Sequence, residues 1–228
     1  MSKPSLNWSG IDTVLLDMDG TLLDQHFDDY FWQHHLPLRY AESRGLDLAT
    51  AKAELLPRFR RIEGTLDWYC LDYWSRELGL ELALLKAEIR HLIGVHPHVR
   101  EFLDGVRRAG KTLALVTNAH MDALALKMED TRLRGYFDRV IVSHELGLPK
   151  EEPPFWERLQ EQLPFDRERT LLVDDSLPVL RSAEVYGIAH LLAGRHPSSQ
   201  KGPKATAPFA AVASFADIIP PAAGSSDQ

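Results

Sequence analysis

Val14-Leu15-Leu16-Asp17-Met18-Asp19-Gly20-Thr21 is an apolar run that stops at two carboxylates and a glycine. A short run that is apolar without alternation reads as a strand covered on both faces, not as a half-exposed one. Thr13–Leu16 is the first such run, and residues 112–116, Arg139–Val142, 170–173 and 188–192 repeat it. Helical periods fill the gaps between the last four. Residues 97–110 and 176–187 each end in a glycine suited to a C-cap, and 153–163 opens on two prolines, which a first helical turn tolerates. Residues 122–133 carry Leu124, Met128 and Leu133 on one side. This alternation of strand and helix predicts an open α/β fold with right-handed crossovers.

The first strand breaks the rhythm. About ninety residues separate Gly20 from the strand near Thr112, far too many for a loop. Residues 46–59, 64–78 and 80–92 are rich in Leu, Ala, Glu and Arg, so the segment is expected to be an inserted all-helical domain. The predicted organisation is a parallel-sheet core of residues 1–21 and 97–221, a helical insertion of 22–96, and a disordered tail of 222–228. Residues 209–219 are expected to return to the core as a short element.

Composition narrows the function classes. With 26 Lys+Arg against 33 Asp+Glu the net charge is −7, which argues against nucleic acid as a partner. A lone cysteine, Cys70, excludes an internal disulfide and fits a reducing cytoplasm; it is expected to be a buried small hydrophobe. The first residues lack the apolar stretch of a signal peptide, and no run of 18 apolar residues suggests a membrane span. The reading is a soluble cytoplasmic globular protein; oligomeric state leaves no mark in the sequence.

Acidic residues sit where an α/β sheet binds ligands, beyond the carboxyl ends of its strands. Asp17 and Asp19 are two apart and share a face, and the fourth strand ends Val173-Asp174-Asp175-Ser176. If the first and fourth strands are neighbours, up to four carboxylates crowd one cavity, and repulsion would keep some of them protonated without a cation. Oxygen-only ligands of this kind suit Mg²⁺. The second strand ends at Thr117-Asn118, whose hydroxyl, amide and following backbone N–H groups can bind phosphate oxygens. Lys150 follows the third strand on a Gly/Pro-shaped loop and can supply positive charge to a phosphoryl group. No His or Cys cluster shows competing metal-ligand spacing; the pairs His34-His35 and His96/His98 read as surface or hinge residues.

Asp17-Met18-Asp19-Gly20-Thr21, Thr117, Lys150 and Asp174-Asp175 together resemble the four signature motifs of the haloacid dehalogenase superfamily, from about residue 12 to residue 219. The resemblance implies a Rossmann-like core with a helical cap between the first two motifs. It also implies Asp17 as nucleophile and Asp19 as general acid/base, with Thr117, Asn118 and Lys150 around the phosphoryl group. Mg²⁺ would be held by Asp17, the Asp19 carbonyl, Asp174 and Asp175. Dehalogenase members lack the second acid, so Asp19 implies a phosphomonoesterase.

Half of the chain's aromatic residues fall between 22 and 96, notably in Phe27-Asp28-Asp29-Tyr30-Phe31-Trp32 and Trp68-Tyr69-Cys70-Leu71-Asp72-Tyr73-Trp74. Such rings can stack a nucleobase, or pack the insertion's own core at i,i+4 spacing; the pattern leaves both open. These segments, with Thr117-Asn118-Ala119-His120 and Leu148-Pro149-Lys150-Glu151-Glu152, are similar to bacterial GMP/IMP nucleotidases of the superfamily. That resemblance implies a purine nucleoside 5′-monophosphate as substrate. The core motifs do not name the substrate and also suit a sugar-phosphate or phosphoglycolate phosphatase or a phosphomutase. A non-catalytic nucleotide-binding protein is the rival from another class, and the presence of every group the chemistry needs speaks against it.

Overall fold

The structure, a computed structural model, describes residues 4–221, so the expected disorder of 222–228 lies outside the described residues. The chain enters through β1 (Thr13–Leu16) and leaves the sheet for a long helical excursion. This runs through α1 (His26–Tyr30), α2 (Leu36–Arg44), α3 (Leu48–Ile62), α4 (Leu66–Tyr69), α5 (Leu71–Leu78) and α6 (Leu82–Glu88). It returns by α7 (Val99–Arg108), β2 (Thr112–Thr117), α8 (Met121–Thr131), β3 (Arg139–Val142), α9 (Ser143–Leu146) and α10 (Pro153–Gln162). Last come β4 (Thr170–Asp174), α11 (Leu177–Tyr186), β5 (His190–Gly194) and β6 (Ala210–Val212).

The sheet is parallel, in the order β3-β2-β1-β4-β5-β6. Its unbroken apolar strands are explained by two covered faces. Val14, Leu16, Leu113, Leu115, Leu171 and Val173 face the cluster built by α7 and α8. The intervening Leu15, Ala114, Val116 and Leu172 face α10 and α11. Strand order runs outward from β1 to β2 and β3 on one side and to β4, β5 and β6 on the other, so a crevice opens at the carboxyl end of β1.

Helices α1 to α6 share a separate apolar cluster around Phe27, Phe31, Leu55, Phe59, Trp74 and Leu78. Two short chain crossings join them to the sheet: Leu23 pairs antiparallel with Val95, and the His96 amide donates to the Leu22 carbonyl at 2.9 Å.

Several expected elements shift. The strand read at 188–192 is His190–Gly194, because the amides of Ile188 and Ala189 are taken by Ala183 and Arg167 carbonyls before the ladder starts. The helix read over 64–78 is two, broken at Cys70, whose extended backbone caps α5 while its Sγ accepts from the Tyr73 amide. Cys70 is therefore half-buried and a cap, not a buried hydrophobe. Residues 26–44, unassigned to a particular helix from sequence, form α1 and α2 joined by a π-helical turn (Phe31–His35). Pro37 has no N–H to give to the preceding turn, and the Leu36 amide reaches back five residues to Phe31. Residues 209–219 do return to the core, as β6 and a 3₁₀ turn (Phe215–Ile218) that buries Phe215 and Ile218.

Candidate active site

Strand register brings the acids together. Leu16 lies opposite both Leu115 and Val173, so Asp17 and Asp174 leave neighbouring strands at the same level. The Asp17 amide donates to the Val173 carbonyl at 3.0 Å, extending the β1–β4 ladder by one bond. Both side chains are buried, as are those of Asp175, Thr117, Asn118 and Lys150.

Gly20 makes the close packing possible. Its φ is +80°, and a Cβ there would sit 2.9 Å from Asp175 Cγ and 3.0 Å from Pro197 Cβ.

Lys150 is the centre of the cluster. Its Nζ donates to Asp17 Oδ1 at 2.6 Å, Asp174 Oδ2 at 2.7 Å and the Val116 carbonyl at 3.1 Å, using all three ammonium hydrogens. Burial opposes its charge, yet Asp17 and Asp174 outweigh that and raise its pKa well above the ordinary lysine value. Asp174 Oδ1 accepts from the Ser176 amide at 2.8 Å, and Asp175 Oδ2 from Lys204 at 3.2 Å. Thr117 Oγ1 accepts from the Ala119 amide at 3.0 Å.

Asn118 is a strut. Its Oδ1 accepts from the Lys150 amide at 3.0 Å, and its Nδ2 donates to Glu151 Oε2 at 2.9 Å. Its side chain thus braces the loop that carries Lys150 and Glu151.

Three carboxylates outnumber the two ammonium groups bonded to them, Lys150 and Lys204, and the imbalance raises their pKa values. Burial pushes Asp17 up to about 6, opposed by Lys150 and reinforced by Asp174. Burial likewise raises Asp175 to about 6, with Asp17 adding to it and the Lys204 ammonium opposing. Oxygens of Asp17, Asp174 and Asp175 all lie within 4.8 Å of one another. A buried, oxygen-only, under-compensated donor set of this size fits a hard divalent cation.

Asp19 belongs to a second, linked group that the sequence did not suggest. Its Oδ1 accepts from Lys127 Nζ at 2.6 Å, and Lys127 also donates to Asp28 Oδ2 at 2.6 Å. Asp28 Oδ1 in turn accepts from Lys86 at 2.6 Å. Lys127 and Lys86 are both almost wholly buried. The available signal was a lysine inside the apolar stripe of a helix: Lys127 lies three residues from Leu124 on the buried side of α8.

Other contacts also tie the insertion to the core. Tyr69 Oη donates to Glu151 Oε1 at 2.6 Å, which raises the phenol pKa by burial and by the Glu151 charge. A cavity of about 690 Å³ is lined by the acids of the site and also by Trp32, Phe59 and Trp68. Trp32 and Trp68 stack on each other with centroids 5.9 Å apart, so these rings also pack the insertion's own core.

The histidines depart from expectation in part. His35 is buried against Glu88 at 2.9 Å, whereas His96 sits at the chain crossing and contacts the Pro197 carbonyl at 3.2 Å. Separate segments also assemble one His-containing acidic group, Asp72, His120 and Asp122, which no spacing in the sequence foretold; both acids are exposed.

None of the described helices is long and apolar enough to cross a membrane. Residues 11–187 match the family described as haloacid dehalogenase-like hydrolases. The chain is 38% identical over 195 residues to the GMP/IMP nucleotidase YrfG of Escherichia coli strain K12, covering 86% of this chain and 88% of that one. It is 26% identical over 183 residues to a phosphoglycolate phosphatase of Pseudomonas savastanoi pv. phaseolicola, covering 77% and 66%. Its fold is like that of a HAD phosphatase from Thermococcus onnurineus, with a TM-score of 0.77 at 21% identity over 91% of this chain and 96% of that one. Strand order, the acids at the ends of β1 and β4, and these likenesses agree: the chain belongs to the haloacid dehalogenase-like hydrolase family.

Proposed function

We propose that the chain is a Mg²⁺-dependent phosphomonoesterase that works through an aspartyl-phosphate on Asp17, with GMP and IMP as its substrates. The observation that carries the reaction is the Asp17–Lys150–Asp174 arrangement at 2.6 and 2.7 Å, with Asp175 beside it. The substrate class rests on the 38% identity to a GMP/IMP nucleotidase across 86% of the chain. Aromatic rings lining the same cavity as the acids are consistent with a base-bearing substrate.

In this reading a carboxylate oxygen of Asp17 attacks phosphorus in line. The bond from phosphorus to the ester oxygen breaks, and the departing alkoxide takes a proton from Asp19. Water then attacks the phosphorus of the aspartyl-phosphate, Asp19 takes its proton, and Asp17 and inorganic phosphate are released. Lys150 holds Asp17 and offers charge to the phosphoryl oxygens, and the Thr117 hydroxyl and the Asn118 amide complete the cradle. Asp17, Asp174, Asp175 and the Asp19 carbonyl would hold Mg²⁺, which supplies further charge neutralisation at the phosphoryl group. Residues 22–96 would form a cap that excludes water from the first step, over a core of 1–21 and 97–221.

Phosphate release from a panel of phosphomonoesters tests the proposal. GMP and IMP should give the highest kcat/KM, and chelation should stop turnover. Faster hydrolysis of phosphoglycolate or a hexose phosphate would overturn the substrate assignment, and unchanged release in chelator would overturn the metal.

A further inference from the structure

Asp19 lies at the end of a buried charge chain whose other three members the reaction scheme above does not use. The chain runs Asp19–Lys127–Asp28–Lys86, each link 2.6 Å, two acids against two bases. Its members come from both sides of the crevice. Asp19 follows β1 and Lys127 sits on α8, whereas Asp28 and Lys86 belong to α1 and α6 of the helical insertion. Burying an ammonium as completely as Lys127 costs several kcal/mol unless its partners are well placed, and lysine is rare at such a position. A core filler on α8 would be a leucine or methionine, as at Leu124 and Met128. The rings beneath add to the lysines' enclosure: Phe27 lies 5.1 Å from Lys127 Nζ and 4.8 Å from Lys86 Nζ. Asp19 has no other side-chain donor among its recorded bonds, so the direction of its carboxylate is set by Lys127.

We propose that Lys127 is a positioning residue for Asp19, and that Asp28 completes its geometry only when the helical insertion is seated over the site. The proposal deepens the phosphatase reading and rests on Asp19 being the acid of that scheme. Lys127 touches neither substrate nor the phosphoryl group in it. Its second bond, to Asp28, fixes where the ammonium points, so an insertion swung away leaves Asp19 less well aimed.

Leaving-group dependence of kcat/KM separates aiming from folding, because kcat/KM reports events up to departure of the alcohol. A nucleoside monophosphate needs its alkoxide protonated, whereas p-nitrophenyl phosphate has a leaving group that departs without help. Lys127→Met should lower kcat/KM for GMP or IMP by ~100-fold and for p-nitrophenyl phosphate by less than ~5-fold. The double variant Lys127→Met/Asp28→Asn keeps the buried group neutral, protecting the fold, and should show the same bias. Equal losses on the two substrates, or no loss on either, would overturn the role of Lys127. Asp19→Asn provides the reference. Bias there without bias in the Lys127 variants sinks this inference alone; absence of bias in Asp19→Asn sinks the acid assignment beneath it.

Discussion

Asp17 carries two loads, one chemical and one structural, and substitutions separate them. Asp17→Asn keeps the shape and the hydrogen bond to Lys150 but removes the carboxylate proposed to attack phosphorus. Phosphate release should fall at least ~10⁴-fold, as for loss of other nucleophiles. Turnover within tenfold of the parent would show that another group attacks phosphorus. Lys150 bears the opposite emphasis. Replacing it by Met leaves Asp17 and Asp174 buried without the ammonium that both now share. Removing one partner of a buried ion pair costs about 3–5 kcal/mol. Denaturant unfolding at neutral pH without divalent ions should show a loss of that order, and a loss under about 1 kcal/mol would mean that the carboxylates simply take up protons. Gly20 shows how little room the arrangement has. A side chain there meets Asp175 at 2.9 Å in a backbone region that only glycine occupies freely.

Strands and helices were legible to different degrees, and the reasons are physical. A strand covered on both faces must be apolar throughout, so β1 and β4 stood out, and the acids that end them could be read as a pair. The neighbouring order of β1 and β4 is a long-range fact that no local pattern encodes; it is what turns two motifs into one site. Lys127 and Asp28 stayed hidden for the same reason, since their meaning depends on a contact between residues 99 positions apart. The insertion was readable as helical, but its breaks were not. Cys70 ends one helix and caps the next through a weak sulfur acceptor, which looks like an ordinary helical residue in sequence. Trp74 is a packing residue, which only the assembled insertion shows. Trp74 is 1% exposed, lies 5.1 Å from Phe59, and donates from Nε1 to the Trp68 carbonyl at 3.0 Å. Trp74→Ala should cost the insertion about 3–5 kcal/mol. Because the insertion's cluster is separate from the two that flank the sheet, amide exchange should speed up across residues 26–92 and stay slow in β1, β2 and β4. Uniform acceleration over the whole chain would show that the insertion and the sheet unfold as one unit.

Taken over the whole molecule, the site stores an electrostatic cost that a cation would relieve. Asp17 and Asp175 are pushed up to about 6 by burial, against a reference near 4 for a free aspartate. Between about pH 4 and pH 6 the folded chain therefore holds protons that the unfolded chain has released. Stability from these groups falls as pH rises through that window and stays lost above it. Asp28 has the opposite sign: burial resists its charge, but Lys127 and Lys86 overcome this and hold its pKa below the ordinary range. Its contribution is present above about pH 4 and disappears only in stronger acid. A divalent ion held by Asp17 and Asp175 would displace their protons, so its binding would strengthen as pH rises through about 6 and level off above it. At neutral pH, Mg²⁺ at a hundred times its dissociation constant should add about 2.7 kcal/mol. The gain in melting temperature from Mg²⁺ over chelator should be several degrees at pH 7.5 and close to nil at pH 4.5. An equal gain at both values would place the ion away from these carboxylates. A gain at pH 7.5 that survives Asp175→Asn but vanishes in Asp72→Asn would place it at the exposed Asp72–His120–Asp122 group instead.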